Sequence, residues 1–419
     1  MRVLIAGAGI GGLTLALSLH ERGIRCTVFD AVQEVRELGV GIVAQPHAVR
    51  ELDALGLLPA LDATAIRARE LRYLNRFGQE VWVEKRGMYA GHDMPQLSIR
   101  RGRLHGVLWR AALTRLGAGA LRTGRRLVRF EQGAGGVTAR FADGSAESGD
   151  VLVGADGIHS AVRATLHPDD GGIRWNGVQM WRGALDWPVF EGGDTMIVAG
   201  DMSEKLVLYP IAAGATPGTR LTNWVVCAQV GDRGRPPPRK EDWSRPGRPG
   251  EILPYVRRFR VPFLDVEALV RATPEFFEYP MCDRDPLPWW TRGRVTLLGD
   301  AAHPMYPAGG NGASQAILDA RCLACRLAEM PAGAALAAYE AERLPTTAEI
   351  VRSNRAGGPE RVLDVVCARA PKGFVTLNDV ASREELTAIV GGYAIISLAT
   401  RHDSTGPGEP GGPPLGEQA

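Results

Sequence analysis

The first thirty residues constrain this 419-residue chain more than any other stretch. Val3-Leu4-Ile5-Ala6 is a short apolar run, Gly7-Ala8-Gly9-Ile10-Gly11-Gly12 follows it, and residues 13–21 place Leu13, Ala16, Leu17 and Leu19 at helical spacing. Gly23 stops that helix, and residues 24–29 read as a β-branched and aromatic strand ending on Asp30. Strand, glycine turn, helix, strand and terminal acid in this register form the βαβ dinucleotide fingerprint. In it Gly7 makes the tight turn, Gly9 lets the backbone approach a pyrophosphate, and Gly12 lets helix and strand pack closely. The unpaired N–H groups and partial positive charge of the helix start face a pyrophosphate. Asp30 lies where a carboxylate accepts the ribose hydroxyls of an adenosine.

Length alone suggests two or three domains. Lys and Arg number 49 against 47 Asp and Glu, a net charge of +2 that recruits neither nucleic acid nor an anionic membrane. Six cysteines are scattered at 26, 227, 282, 322, 325 and 367. They form no disulfide framework and fit a reduced compartment; Cys322 and Cys325 fall in an apolar helical pattern and read as buried small residues. Arg2 and the apolar run behind it imitate a signal peptide, but the glycines at its centre and the strand that follows exclude one. No stretch is apolar enough to span a bilayer, so the expectation is a soluble, cytoplasmic protein. Neither metal-ligand spacing nor a Gly-x-Ser-x-Gly elbow occurs, and no metal is expected.

Residues 38–47 carry Gly39 and Gly41 in an apolar segment. Their closeness suggests either backbone passing tightly over a flat ligand or a simple strand bend, and a helix follows from about Ala48. Residues 71–84 around Gly78 read as a hairpin. Arg100, Arg101 and Arg103 crowd the start of the next helix, against the dipole preference, so one of them is expected to answer an anion. An apolar strand then ends in Gly154-Ala155-Asp156-Gly157, which puts a carboxylate at the ligand-binding edge of an open α/β sheet. From about 165 to 280 the texture turns to Trp, Pro and alternating residues, as expected of a second, mostly antiparallel sheet. Residues 233–250 read as an exposed loop. A strand, Gly299-Asp300, a Gly/Pro loop and a helix near Gly312 then make a second anion-binding helix start. Residues 335–356, 359–369 and 382–400 are helical in pattern, and 402–419 is expected to be disordered.

Gly7-x-Gly9-x-x-Gly12, Gly154-Ala-Asp156-Gly157 and Gly299-Asp300-Ala-Ala-His303-Pro304, in this order, resemble the motifs of the single-component FAD-dependent aromatic monooxygenases, the group of p-hydroxybenzoate and salicylate hydroxylases. The likeness leans to the phenazine branch. It is supported by residues 38–42, Met180-Trp-Arg-Gly183, Tyr279-Pro-Met281, residues 283–287 and residues 309–319, and it fades past about 357. The resemblance implies an α/β fold: a Rossmann-type FAD-binding domain of the p-hydroxybenzoate hydroxylase type, an inserted mixed, mostly antiparallel substrate sheet, and C-terminal helices. The expected division is 1–70, 98–164 and 281–334 for FAD, 71–97 and 165–280 for substrate, and 335–400 for the helical segment.

By the same resemblance Gly7, Gly9, Gly11, Gly12 and Asp30 hold the ADP half of FAD, and Arg101 reaches its phosphates. Asp156 serves FAD and NAD(P)H, Asp300 binds the ribityl chain, and Gly41, Gly310, Asn311 and Gly312 lie along the flavin. The implied chemistry consumes NADH or NADPH and O2 and hydroxylates an aromatic or heteroaromatic small molecule through a C4a-hydroperoxyflavin, with or without loss of CO2. The helix start at Gly312 is expected to favour the reduced flavin. Trp181, Arg182, Tyr209, Tyr306 and Pro307 are the candidate substrate lining. Tyr209 is the candidate for orienting a phenol and His303 for moving a proton, each set against a packing role. Epoxidation, N-oxygenation, Baeyer–Villiger insertion and a flavin dehydrogenase or reductase of the same fold are the alternatives.

Overall fold

The structure, a computed structural model, describes residues 1–34, 40–234, 237 and 245–398. Leu38, Gly39, half of the 233–250 insert (235, 236 and 238–244) and the 401–419 tail therefore lie outside the described residues.

A five-stranded parallel sheet runs in the order Val295–Leu297, Val151–Gly154, Arg2–Ala6, Arg25–Phe29, Leu121–Arg122. The first strand pairs on both sides, Ile5 opposite Val153 and Val28. Its residues Val3 to Ala6 are buried on both faces, the burial that a continuous apolar run signals in a parallel sheet. The helix Ile10–Glu21 starts three residues earlier than the Leu13 expected from sequence, and every residue from Gly11 to Leu19 is buried. It is enclosed by the sheet and by the helices Gly312–Glu329 and Arg101–Leu116, so its apolar character runs all round instead of along one stripe.

The second sheet has seven strands, in the order Phe276–Arg284, Ile173–Pro188, Thr219–Gln229, Glu204–Ala213, Thr195–Gly200, Glu70–Leu74, Glu80–Lys85. All neighbours are antiparallel except Thr195–Gly200 beside Glu70–Leu74. The hairpin read at 71–84 thus extends this sheet. Strand alternation gives the sheet two different faces. Trp181, Leu206, Leu208, Trp224 and Val226 pack against the helices Pro249–Val256 and Val266–Ala272. Met196, Val198, Tyr209 and Ile211 pack instead with Val43 of the strand Gly41–Ala44, which links the two sheets. The helices Ala332–Arg355, Arg361–Arg369 and Arg383–Leu398 complete the chain. Among the described residues no helix is long and apolar enough to cross a membrane, and no group of His, Cys, Asp and Glu could hold a metal ion.

Candidate active site

The sequence-distant glycine loops meet. Gly7, at φ +107°, is so close to the next loop that a β-carbon there would lie 2.2 Å from the Ala155 carbonyl oxygen. A β-carbon on Gly12 would lie 2.0 Å from the carbonyl oxygen of Gly7. One on Gly11 would strike Leu298 at 2.6 Å, and one on Gly299, at φ +62°, would press on Ala316 at 3.1 Å. Loop 7–12, loop 154–157, the 298–300 turn and the helix Gly312–Glu329 therefore share one junction. At Gly9, by contrast, no protein atom lies within 4 Å of the built β-carbon, so the backbone is bare towards open space.

Both helices at this junction begin without a side-chain cap and without an acid in the first turn. The N–H groups of Gly312, Ala313 and Ser314 precede the first intrahelical bond, from Gln315 N–H to the Asn311 carbonyl at 2.9 Å. Such a start favours negative charge in front of it. Asp30 accepts the Ala8 N–H at 2.7 Å and the Val32 N–H at 2.9 Å, and so fixes the glycine loop with the carboxylate expected to serve a ribose. His105 Nε2–H donates to the Ala8 carbonyl at 2.6 Å, a contact with no motif to announce it.

Asp300 is exposed on the turn Gly299–Ala301, which packs against the helix Gly312–Glu329. Desolvation pushes its carboxyl above the usual value, while His303 and Arg101 pull against that rise. Arg101 is exposed at the first turn of its helix, with its charge felt by both Asp300 and Arg182.

Four of the candidate residues are engaged by the protein itself. Trp181 does not line a pocket facing the first sheet: strand alternation turns it into the opposite core, where it stacks on Tyr255 with ring centroids 5.7 Å apart. Gly41 is crowded by protein, not held open for a flat ligand. A β-carbon there would lie 2.7–2.8 Å from Ile211, Asn223 and Tyr209, and its N–H and carbonyl are taken by Asn223 Oδ1 (2.7 Å) and Arg182 Nη2 (3.2 Å). The Asp156 carboxylate serves its own chain, accepting the Ser160 hydroxyl at 2.5 Å and the Ala161 N–H at 2.8 Å at the start of the helix Ala161–Leu166. His303 is buried with its Nε2 joined to Asp319 at 2.5 Å, the arrangement of the packing role set against proton transfer.

Asp319 is the residue that pattern reading passed over. Wholly buried, it accepts the Gly299 N–H at 3.1 Å, His303 Nε2, and Arg343 Nε at 2.8 Å. Burial alone would raise its carboxyl, but His303 and Arg343 hold it below the usual value. Arg343 also donates to Gln315 Oε1 at 2.6 Å, so this network ties the 299–303 turn to the helix behind Gly312. The available signal was an acid directly after the apolar run Ala316-Ile317-Leu318, in helical phase with Gln315.

On the inward face of the second sheet, Arg182 and Tyr209 meet over Gly41. Burial lowers the guanidinium's pKa and Arg101 adds to the effect, while burial pushes the Tyr209 hydroxyl up to about 12. Tyr306 joins Met180, Tyr279 and Met281 in a compact aromatic and thioether cluster on the neighbouring strands. Pro307 is exposed, and its carbonyl accepts the Gly310 N–H at 3.0 Å.

The family model described as FAD binding domain matches residues 1–354. The phenazine 1,6-dicarboxylic acid hydroxylase PhzS of Lysobacter antibioticus is 48% identical over 369 residues, 84% of this chain and 89% of that protein. The 3-hydroxybenzoate 6-hydroxylase 1 of Aquipseudomonas alcaligenes is 33% identical over 366 residues, 84% of this chain and 87% of that protein. This chain belongs to the FAD-dependent aromatic monooxygenase family. The Klebsiella pneumoniae HpxO structure, complexed with FAD and uric acid, matches at 25% identity and a TM-score of 0.70, covering 96% of this chain and 93% of that one. The chain is an FAD-dependent monooxygenase of aromatic compounds that uses NAD(P)H and O2. The residues fit FAD: a bare backbone at Gly9, two uncapped helix starts at one junction, and an exposed carboxylate at Asp300 on the turn that meets them.

Proposed function

We propose that this monooxygenase hydroxylates a planar heteroaromatic carboxylic acid of the phenazine type, held on the inward face of the seven-stranded sheet. The observation that carries this reading is a half-buried guanidinium, Arg182, set beside Tyr209 over Gly41 on the inward face of the sheet. A guanidinium on this face offers a planar fork of donors that matches a substrate carboxylate. The neighbouring wall of Met180, Tyr279, Met281 and Tyr306 suits a flat ring system, and a relative of 48% identity is a phenazine dicarboxylic acid hydroxylase.

In this reading residues 1–70, 98–164 and 281–334 bind FAD, residues 71–97 and 165–280 bind substrate, and residues 335–400 brace both. Gly7, Gly9, Gly11, Gly12, Asp30 and Arg101 would hold the dinucleotide half, with Asp300, Gly310, Asn311 and Gly312 at the flavin end. FAD, when bound, takes reducing equivalents from NADH or NADPH and activates O2 for transfer of one oxygen atom. The protein's part is to orient the ring, exclude water and stabilise charge. Arg182 anchors the carboxylate, Tyr209 keeps its proton and orients a ring substituent as a hydrogen-bond donor, and the free N–H groups of residues 312–314 favour negative charge. The protein would work in the cytoplasm, consistent with six free cysteines among the described residues.

The test is a screen of phenazine mono- and dicarboxylic acids against hydroxybenzoates with the purified holoenzyme. Readouts are NADH and NADPH oxidation, O2 uptake and product mass. Phenazine acids should stimulate oxidation and gain one oxygen, with or without loss of CO2. Coupled turnover of hydroxybenzoates with no response to phenazine acids would overturn the substrate assignment. Substrate turnover under argon with an artificial acceptor would favour a dehydrogenase.

A further inference from the structure

The loop from Tyr306 to Asn311 carries the residues assigned above to the flavin end, yet much of what holds it comes from beyond the family match, which ends at residue 354. The Tyr393 hydroxyl, on the helix Arg383–Leu398, accepts from Asn311 Nδ2 at 2.9 Å. It donates to Asn354 Oδ1 at 2.9 Å, with the Ala308 carbonyl at 3.2 Å as a second acceptor. Asn354 Nδ2 in turn donates to the Tyr306 carbonyl at 2.8 Å. One turn further along the same C-terminal helix, the Ser397 carbonyl accepts from Gln315 Nε2 at 3.3 Å. Glu360, in a buried ion pair with Lys205 of the second sheet, accepts the Gly309 N–H at 3.4 Å.

The backbone is cut to receive the Tyr393 ring. A β-carbon on Gly309, at φ +68°, would lie 2.6 Å from the Tyr393 hydroxyl oxygen, and Gly358, at φ +55°, packs on the other side of the ring. Gly357 and Gly358 both adopt positive φ, which lets the chain turn back towards the loop just past the end of the family match. Binding Asn311 through its Nδ2 leaves its Oδ1 buried, with no hydrogen-bond partner among the described residues, at the cap of the uncapped helix. A buried acceptor of this kind calls for a donor, and the N–H of a flavin's pyrimidine ring is one.

We propose that Tyr393 is a positioning residue for the cofactor: through Asn311, Ala308 and Asn354 it sets the conformation of the 306–311 loop and thereby the affinity and reduction potential of the bound flavin. This rests on the assignment of that loop to FAD. Removing the hydroxyl frees Asn311 to turn and the loop to relax. The free N–H groups of the helix start then hold the reduced flavin less well, without any change in a residue that touches it.

The experiment compares wild type with Tyr393→Phe, Asn311→Ala and the double variant, by FAD titration of apoprotein, visible spectrum, midpoint potential and melting temperature. Tyr393→Phe should weaken FAD about tenfold, the loss expected of one buried hydrogen bond. It should also lower the midpoint potential by about 30 mV, a tenfold loss of preference for the reduced form in a two-electron couple. The double variant should fall short of the sum of the singles, because both remove one bond. Gly312→Val serves as the control on the loop assignment. If Gly312→Val shifts the potential while Tyr393→Phe leaves affinity, spectrum and potential at wild-type values, the clasp is wrong and the loop assignment stands. A lower melting temperature in Tyr393→Phe with no shift in potential would make Tyr393 a packing residue and overturn the proposal. If Gly312→Val also leaves FAD untouched, the loop assignment falls and takes the clasp with it.

Discussion

The two glycine loops of this molecule are built on opposite plans. Loop 7–12 is shaped almost from within: Gly12 presses on Gly7, Gly7 on the strand end at Ala155, and Asp30 ties down Ala8 across one βαβ unit. Loop 306–311 is shaped from outside, by Tyr393, Asn354, Glu360 and Gln45, the last donating Nε2 to the Gly309 carbonyl at 3.1 Å. A self-made turn can be carried as a short motif, whereas a turn made by distant partners can be altered by changes anywhere in those partners. The difference predicts that lesions near the first loop act locally, and that lesions far from the second act on the cofactor.

The largest expected effect is at Asp319, which anchors the turn leading into the second loop. Asp319→Ala leaves Arg343 buried without its partner and should cost about 3–5 kcal/mol, read as a fall in denaturation midpoint, with FAD binding lost in parallel. Wild-type stability in that variant would show that the network is ornamental. Next is Gly12→Ala in the first loop. Its β-carbon would lie 2.0 Å from a backbone oxygen that cannot move freely, and about 3 kcal/mol of stability should go, FAD or no FAD.

A smaller effect is expected with acid on the side of the second loop. His47 is buried two residues after Gln45, with both ring nitrogens lacking a hydrogen-bond partner among the described residues. Burial first, then Arg343, His92 and Arg50, lower its pKa from 6.5 to about 4. The unfolded chain therefore binds the proton first as pH falls. The stability from neutral His47 is complete above about 6.5 and is lost progressively down to about 4. On the order of 2 kcal/mol should be gone by pH 5, and His47→Gln should flatten that part of the stability profile. An unchanged profile in the variant would assign the acid sensitivity elsewhere. The smallest effect on the fold is at Gly9, where no protein atom meets the added methyl group. Gly9→Ala should melt like wild type while binding FAD at least about tenfold more weakly. Of the glycines in the first loop, this one separates the demands of ligand from those of fold.

The first loop was legible in the sequence because its causes lie within thirty residues: turn, helix and acid are neighbours in the chain, and glycine spacing reports them directly. The second sheet was legible as alternation, but which face each residue took was not. Trp181 and Arg182 are adjacent letters with opposite destinations, decided by the register of Ile173–Pro188 against Thr219–Gln229. Gly41 showed the need for a close approach without showing that the second sheet makes it. Asp156 and His303 both sit in motifs, yet Asp156 is engaged by the start of the helix that follows it and His303 by Asp319 on the next helix. Tyr393 and Asn354 carried no signal, since their meaning comes from a loop tens of residues earlier.

The account turns on the claim that both loops hold one flavin. Fluorescence titration of the apoprotein with FAD, run on wild type, Gly9→Ala and Gly312→Val with folding checked by circular dichroism, tests it most directly. The prediction is one FAD per wild-type chain and weakened binding in each folded variant; wild-type affinity in either one would remove that loop from the cofactor and contradict the account.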